Sequence, residues 1–214
     1  MKKINLAVTG CMGRMGQQII KSAKADKNFK LTTLTENKKF NKKIHKIKID
    51  LNTDQAFKKA SKKIPILKAG NMSLGINLLM YLAEITSGSL GKNFLSKIYE
   101  VHHKNKKDYP SGTALMLGKG IAIGRNKNFY NIIGKKFLNK KTFPYGNKIN
   151  FNSIRKGEII GEHEVKFSSG KEIITLNHEA FDRALYSEGA LLAAKWLMTK
   201  KPGLYSMRDL MNFK

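Results

Sequence analysis

The sequence predicts an α/β chain of two parts, a short parallel strand–helix–strand unit followed by a region of alternating strands and helices. Three observations carry this reading. A strand pattern at residues 3–9 passes through Gly10, Gly13 and Gly16 into a helical pattern, then into a second strand pattern at 29–35. An apolar helical stretch follows Ser73, and a further helix begins near Ser111. Three alternating segments, 148–155, 162–168 and 172–178, are set apart by Gly157, Gly161 and Gly170. Strands interleaved with helices favour a parallel sheet, whereas clustered strands with glycine turns favour an antiparallel or mixed one.

The elements follow in order. Ile4, Leu6 and Val8 share one face of the first strand, with Asn5, Ala7 and Thr9 on the other. Met15, Ile19, Ile20 and Ala23 then recur at helical spacing. Residues 29–35 are β-rich and end at Glu36, and 37–50 are lysine-rich and unpatterned. Residues 53–62 read as a short helix and 64–69 as a strand, with Pro65 tolerable only at its start or on an edge. Ser73 is placed to cap a helix through Leu74, Leu78, Leu79, Leu82 and Ile85. Residues 97–103 form a strand, a polar loop runs to Pro110, and 183–199 form a last amphipathic helix with the only tryptophan, Trp196. The domain expectation is 1–73 with 183–214, and 74–182 between them. No internal repeat or low-complexity linker is visible.

The totals narrow the classes. The chain has 214 residues, 41% hydrophobic and 9% aromatic, enough for a packed core. No apolar run reaches the ~18 residues of a membrane span, and the start passes straight into the first strand. Neither a membrane segment nor a signal peptide is expected. A single cysteine, Cys11, excludes an internal disulfide and fits a cytoplasmic location. The net charge of +26 invites a basic nucleic-acid-binding module as an alternative. But 36 of the 41 basic residues are lysine, scattered over the whole chain, while base and phosphate readout favours arginine. The expectation is no specific nucleic-acid recognition, only salt-sensitive adhesion.

Gly10-x-x-Gly13-x-x-Gly16 departs from the usual dinucleotide spacing, since Met12 stands at the second glycine position. By itself it is as well explained by a plain strand–turn–helix corner. Glu36, 20 residues past Gly16 at the end of the second strand, changes the balance. An acid there receives a ribose hydroxyl, while the helix N-terminus holds the pyrophosphate. A dinucleotide such as NADH or NADPH is the expected ligand. Asn37, Lys38 and Lys39 could tolerate a 2′-phosphate or simply form a solvated turn. Cys11 reads as a small filler of the loop.

Glu100-Val101-His102-His103-Lys104-Asn105-Lys106-Lys107-Asp108-Tyr109-Pro110-Ser111-Gly112-Thr113 is the richest stretch. Ser111 can cap a helix whose first turn, Gly112 and Thr113, offers backbone N–H groups to a carboxylate. His102, His103 and Lys106 bring proton donors and positive charge to the same place. This equipment suits reduction of a small acidic substrate with a proton delivered after hydride transfer. Paired histidines at a strand end are more often structural or metal-binding, but no cysteine or acidic cluster at ligand spacing supports a metal here.

The pattern E-x-HH-x-x-K-x-D-x-PSGTAL closely resembles the signature of the dihydrodipicolinate reductase family, and VTGCMGRMG at 8–16 resembles that family's cofactor loop. Further similar blocks are Ala69–Gly75, Arg155–His163, His178 with Arg183 and Gly189-Ala190, and Gly203–Asp209. The resemblance implies a Rossmann-type domain, closed by the C-terminal helix, plus an α+β substrate and tetramerisation domain. It implies NAD(P)H-dependent reduction of 4-hydroxy-tetrahydrodipicolinate in lysine and diaminopimelate biosynthesis. His102 would be the proton donor/acceptor and Lys106 a second donor. His103, Gly112 and Thr113 would hold the substrate carboxylates. Gly10, Cys11, Met12, Gly13, Arg14, Met15, Glu36, Ala69, Gly70, Asn71 and Met72 would contact the cofactor. Asn37 stands where the family often has an arginine that reads the NADP phosphate, which leans this chain towards NAD. A homotetramer is implied as well.

One region departs from the family. Its further β-α units, with their Asp-Phe-Thr and Gly-Thr-Thr-Gly motifs, have no counterpart, and only 34 residues separate Glu36 from Asn71. A βαβ unit alone takes about 30 or more. The simplest explanation is an internal deletion between the helix near Ala60 and the strand near Ile64, which shortens the Rossmann-type sheet. The 64–69 strand is then expected beside the first strand, in the order second strand, first strand, 64–69, all parallel. The competing reading is a deletion product that keeps the substrate-domain fold and oligomerisation but reduces little.

Overall fold

The computed structural model describes residues 3–35, 54–133 and 149–213. The chain divides into two units, Met1–Leu74 with Arg183–Lys214, and Gly75–Asp182.

In the first unit, β1 (Ile4–Thr9) and β2 (Phe29–Thr35) pair in parallel through the intervening helix α1 (Arg14–Ala25). A parallel pair needs a crossover, and α1 provides it. The helix turns Ile20 and Ala23 inward, where Ile20 packs with Val8 and Cys11, and Ala23 with Phe29 and Leu191. Helix α2 (Asp54–Ser61) leads into a three-residue strand β3 (Pro65–Leu67). After the second unit the chain returns as α6 (Ala184–Leu197), β8 (Gly203–Tyr205) and the short α7 (Met207–Leu210). Helix α6 packs on α1 through a 2.8 Å bond between the Ser22 and Ser187 hydroxyls and a 2.6 Å ion pair of Lys195 with Asp26.

The strand order of this unit corrects the sequence expectation. β3 does not pair with β1; it pairs in parallel with β8, Pro65 to Gly203 through Leu67 to Tyr205. Lys68 N–H extends the ladder to Tyr205 O at 2.9 Å. The physical reason lies at the far end of the chain. Tyr205 packs edge-on against Trp196 of α6, ring centroids 5.2 Å apart, and its hydroxyl donates to Lys201 O. These contacts hold β8 as a template for β3. So short a strand carries no hydrophobic period from which to read it.

The second unit is a four-stranded mixed sheet in the order β5–β4–β6–β7, made of β4 (Leu95–His102), β5 (Ile149–Arg155), β6 (Gly161–Ser168) and β7 (Ile173–Ala180). β4 and β5 run parallel, and the other two pairs are antiparallel. Helix α3 (Leu74–Leu90) precedes β4 in the chain, and α4 (Gly112–Gly124) and α5 (Phe129–Ile133) lie between β4 and β5. Ile76, Leu79, Leu117, Ile121 and Phe129 pack against Ile98, Phe151, Val165 and Phe167 in one core. Each such side chain, fully buried, contributes roughly 1.5–3 kcal/mol.

Candidate active site

The pairing register lays residues in rows across the covered face of the second sheet, because alternate residues of a strand share a face. The first two rows are mostly apolar: Ile149, Ser96, Phe167 and Ile174, then Phe151, Ile98, Val165 and Leu176. The next row is polar throughout, Ser153, Glu100, His163 and His178. Beyond it, His102 pairs with Arg155, and Gly161 with Ala180. The face thus changes from oily to ionisable at the C-terminal end of β4.

Glu100 is the hub, 1% exposed. Its Oε1 accepts from the Ser111 N–H at 3.0 Å and from Arg155 Nη2 at 2.9 Å, and its Oε2 lies 2.5 Å from His102 Nδ1. Burial pushes the Glu100 carboxyl up, but the hydrogen bonds of His102 and Arg155 outweigh it and hold the group well below the usual carboxylate range. It is therefore ionised. Arg155 also donates to the Asp108 carbonyl, and its guanidinium lies 4.2 Å from the Tyr109 ring centroid. Asp108 in turn pairs with Lys106, Nζ to Oδ1 2.9 Å. One buried carboxylate thus links β4, β5 and the 103–110 loop.

Ser111 caps α4, its Oγ accepting from Ala114 N–H at 3.2 Å, and the first helical bond of the next residue runs from Leu115 N–H to Ser111 O. Gly112 and Thr113 precede that bond, in the turn whose N–H groups have no acceptor within a helix. Ser111 Oγ also lies 3.3 Å from His163 Nε2. The His163 ring stands edge-on to His102, 5.0 Å between centroids. Burial, with His102 beside it, pushes His163 down to about 3, so it is neutral near pH 7. The structure therefore brings His102, Lys106 and the α4 N-terminus into one hydrogen-bonded cluster. His103 follows directly on β4, half-buried, its carbonyl accepting from Lys106 N–H.

Glu100, His102 and His163 place donor atoms within 4.8 Å of one another, which raises the question of a metal. Two ligands on one tetrahedral zinc stand about 3.3 Å apart at ordinary bond lengths. The 2.5 Å separation of Glu100 Oε2 and His102 Nδ1 is shorter than that, so in this arrangement these two atoms do not chelate one ion.

In the first unit, Gly10 has φ +65°, and a Cβ on Gly16 would lie 2.1 Å from Gly10 O. The glycines let loop and helix close on each other, as an approach to pyrophosphate requires. Cys11 is buried, its N–H donating to Thr35 O and its carbonyl accepting from Gln17. Gly13 N–H turns back to Gly10 O. Met12 and Arg14 are exposed, and Arg14 and Met15 open α1. The loop fits a bound dinucleotide, with the N-terminus of α1 to hold its phosphates. Ala69 to Met72 form an irregular turn in which Asn71 Oδ1 accepts from Ser73 N–H. Gly189 of α6 backs this turn so closely that a Cβ would lie 1.9 Å from Met72 O. Glu36 and its neighbours Asn37 to Lys39 lie outside the described residues.

Three residues of the site had no role in the sequence reading: Glu100, Arg155 and His163. A usable signal existed for the first. Glu100 sits two before His102 in a strand, which puts both on one face. Arg155 and His163 reach the cluster only through strand pairing.

The fold and the cluster define a two-unit α/β protein, a Rossmann-type unit with a glycine loop followed by a mixed-sheet unit that carries the ionisable site. Residues 4–56 match the family model for the N-terminus of dihydrodipicolinate reductase, and residues 75–211 the model for its C-terminus. The 4-hydroxy-tetrahydrodipicolinate reductase of Pelagibacter ubique is 66% identical over 258 positions, covering 100% of both chains. That of Buchnera aphidicola subsp. Schizaphis graminum is 35% identical over 271 positions, covering 100% of this chain and 99% of its own. A solved dihydrodipicolinate reductase from Paenisporosarcina sp. TG-14, with dipicolinate bound, shares the fold at TM-score 0.73, 19% identity and 97% and 99% coverage. The chain belongs to the dihydrodipicolinate reductase family. Its 214 residues occupy the 258-position alignment with the Pelagibacter relative, leaving 44 positions of that relative without a counterpart.

Proposed function

We infer that the chain reduces 4-hydroxy-tetrahydrodipicolinate to tetrahydrodipicolinate with NADH or NADPH, in lysine and diaminopimelate biosynthesis. The observation that carries this is the hydrogen-bonded cluster of His102, Glu100, Arg155, Asp108 and Lys106 around the N-terminus of α4, in a chain of this family. Gly112, Thr113 and His103 bind the substrate carboxylates. Loss of the C4 hydroxyl as water puts a proton on the leaving oxygen and releases one from the neighbouring ring carbon, and the ring takes that proton back when hydride reaches C4. A bound nicotinamide supplies the hydride. His102 is the proton donor/acceptor and Lys106 the second donor.

Gly10 to Met15, Glu36 and Ala69 to Met72 hold the cofactor, with the phosphates on the α1 N-terminus. An acid at Glu36 disfavours a 2′-phosphate while Lys38 and Lys39 attract it, so NADH is used at least as well as NADPH. The enzyme works in the cytoplasm as a homotetramer. Among the described residues no helix is long and apolar enough to cross a membrane.

The test is mutational. His102→Gln and Lys106→Ala should each lower kcat ~10²–10⁴-fold, the usual contribution of general acid–base help, with NADH affinity by calorimetry unchanged. Equal loss of NADH affinity, or wild-type turnover, would overturn the assignment. A second reading is supported by the 44 missing positions and by the two separate two-stranded sheets that the described residues of the first unit form. On it the chain keeps the substrate-domain fold and its assembly but reduces slowly. Dipicolinate binding without turnover, in an assay coupled to the synthase that makes the substrate, would favour it.

A further inference from the structure

We propose that Glu100 is the positioning residue for His102: its carboxylate keeps the imidazole proton on Nδ1 and so makes Nε2 the nitrogen that exchanges protons with substrate. The inference rests on the reading of His102 as proton donor/acceptor.

The geometry leaves little choice. An ionised carboxylate only accepts hydrogen bonds. Oε1 already receives the Ser111 N–H and Arg155 Nη2, neither of which gives up its proton. Oε2 faces His102 Nδ1 at 2.5 Å, so the hydrogen between them belongs to Nδ1. In the neutral ring Nε2 is then the acceptor, and in the charged ring it is the donor. The His163 ring closes off one side of the imidazole, edge-on at 78°. On the Nε2 side stands Gly161, where an added Cβ would come within 3.2 Å of that nitrogen. Packing alone does not account for Glu100. An apolar side chain would fill the same volume without the heavy cost of burying a charge. What a carboxylate adds is direction, imposed on His102 and, through Arg155 and the Asp108 carbonyl, on the loop that carries Lys106.

Nitrogen-15 NMR of the full chain with labelled histidine reads the tautomer directly, the His102 signals being assigned by their loss in His102→Gln. The expected wild-type spectrum shows a protonated, pyrrole-type Nδ1 and a pyridine-type Nε2 in the neutral ring. A pyridine-type Nδ1 would overturn the proposal, and the tautomer is read from the wild-type chain itself. Glu100→Gln supplies the kinetic arm. Its amide offers one acceptor and one donor, so a donor must face either His102 or the Ser111 N–H and Arg155. The tautomers should mix and kcat should fall about 10- to 100-fold, as when an orienting partner of a working histidine is lost. KM for substrate and Kd for dipicolinate should change less than about threefold on the same grounds. A slow His102→Gln beside a Glu100→Gln of wild-type kcat and tautomer sinks this inference alone. A His102→Gln that turns over like wild type sinks the proton-donor reading, and this inference falls with it.

Discussion

His163 shows how one residue in the site ties chemistry to stability. It is 3% exposed, opposite Glu100 on one neighbouring strand and His178 on the other. Burial and the nearby His102 push it from 6.5 to about 3, while the Glu100 charge pulls the other way. A folded-state value below the unfolded one means that the unfolded chain binds the extra proton first. The contribution of neutral His163 is therefore complete above pH 6.5 and is lost as pH falls towards 3. Urea unfolding should show stability rising with pH over that window, by at most about 1.4 kcal/mol per pH unit for one proton. His163→Asn should flatten the slope without abolishing it, since burial lowers His178 in the same direction. An unchanged slope in the variant would show that the titration lies elsewhere.

At the level of elements, the first unit depends on close approach of backbone to backbone. Helix α6 docks on α1 through Ser22 and Ser187, and its Gly189 lets the 69–72 turn press against it. Gly189→Ala would put a methyl 1.9 Å from the Met72 carbonyl, a contact that neither partner can relieve by rotating a side chain. Overpacking of this kind costs about 1–3 kcal/mol, a fall of several degrees in Tm for a chain of this size. Because the turn that moves is one of those proposed to hold the cofactor, NADH affinity should fall with it, while dipicolinate binding to the second unit is kept. Calorimetry with both ligands checks this; a loss of dipicolinate binding equal to that of NADH would contradict it.

For the molecule as a whole, the two units carry different shares of risk. The second has one contiguous core under a four-stranded sheet. The described residues of the first form two two-stranded sheets and two small clusters, in a chain that leaves 44 positions of its alignment with the Pelagibacter relative unmatched. A two-stranded sheet has no interior strand, and its stability rests on what packs against it. NADH should accordingly bind this chain more weakly than it binds that relative, with faster amide exchange in β1 and β3 than in β4. Equal affinity in side-by-side calorimetry would show that the shortened unit holds the cofactor as well as the longer one.

The sequence by itself determined the elements with a period and the motifs with a spacing. The alternation of Ile4, Leu6 and Val8, the glycine loop, the capping Ser111 and the His102–Lys106–Ser111 run are all local, because each depends on neighbours within a few residues. The family was legible for the same reason. Only the tertiary structure decided what long-range pairing controls. β3 chose β8 because Trp196 holds Tyr205 in place, some 140 residues further along the chain. Arg155 and His163 joined His102 because β5 and β6 flank β4 in one particular register. A one-residue slip in either pairing would turn Arg155 or His163 to the opposite face. No local pattern specifies that register; the buried rows of Ile98, Val165 and Phe151 do, by packing under α4.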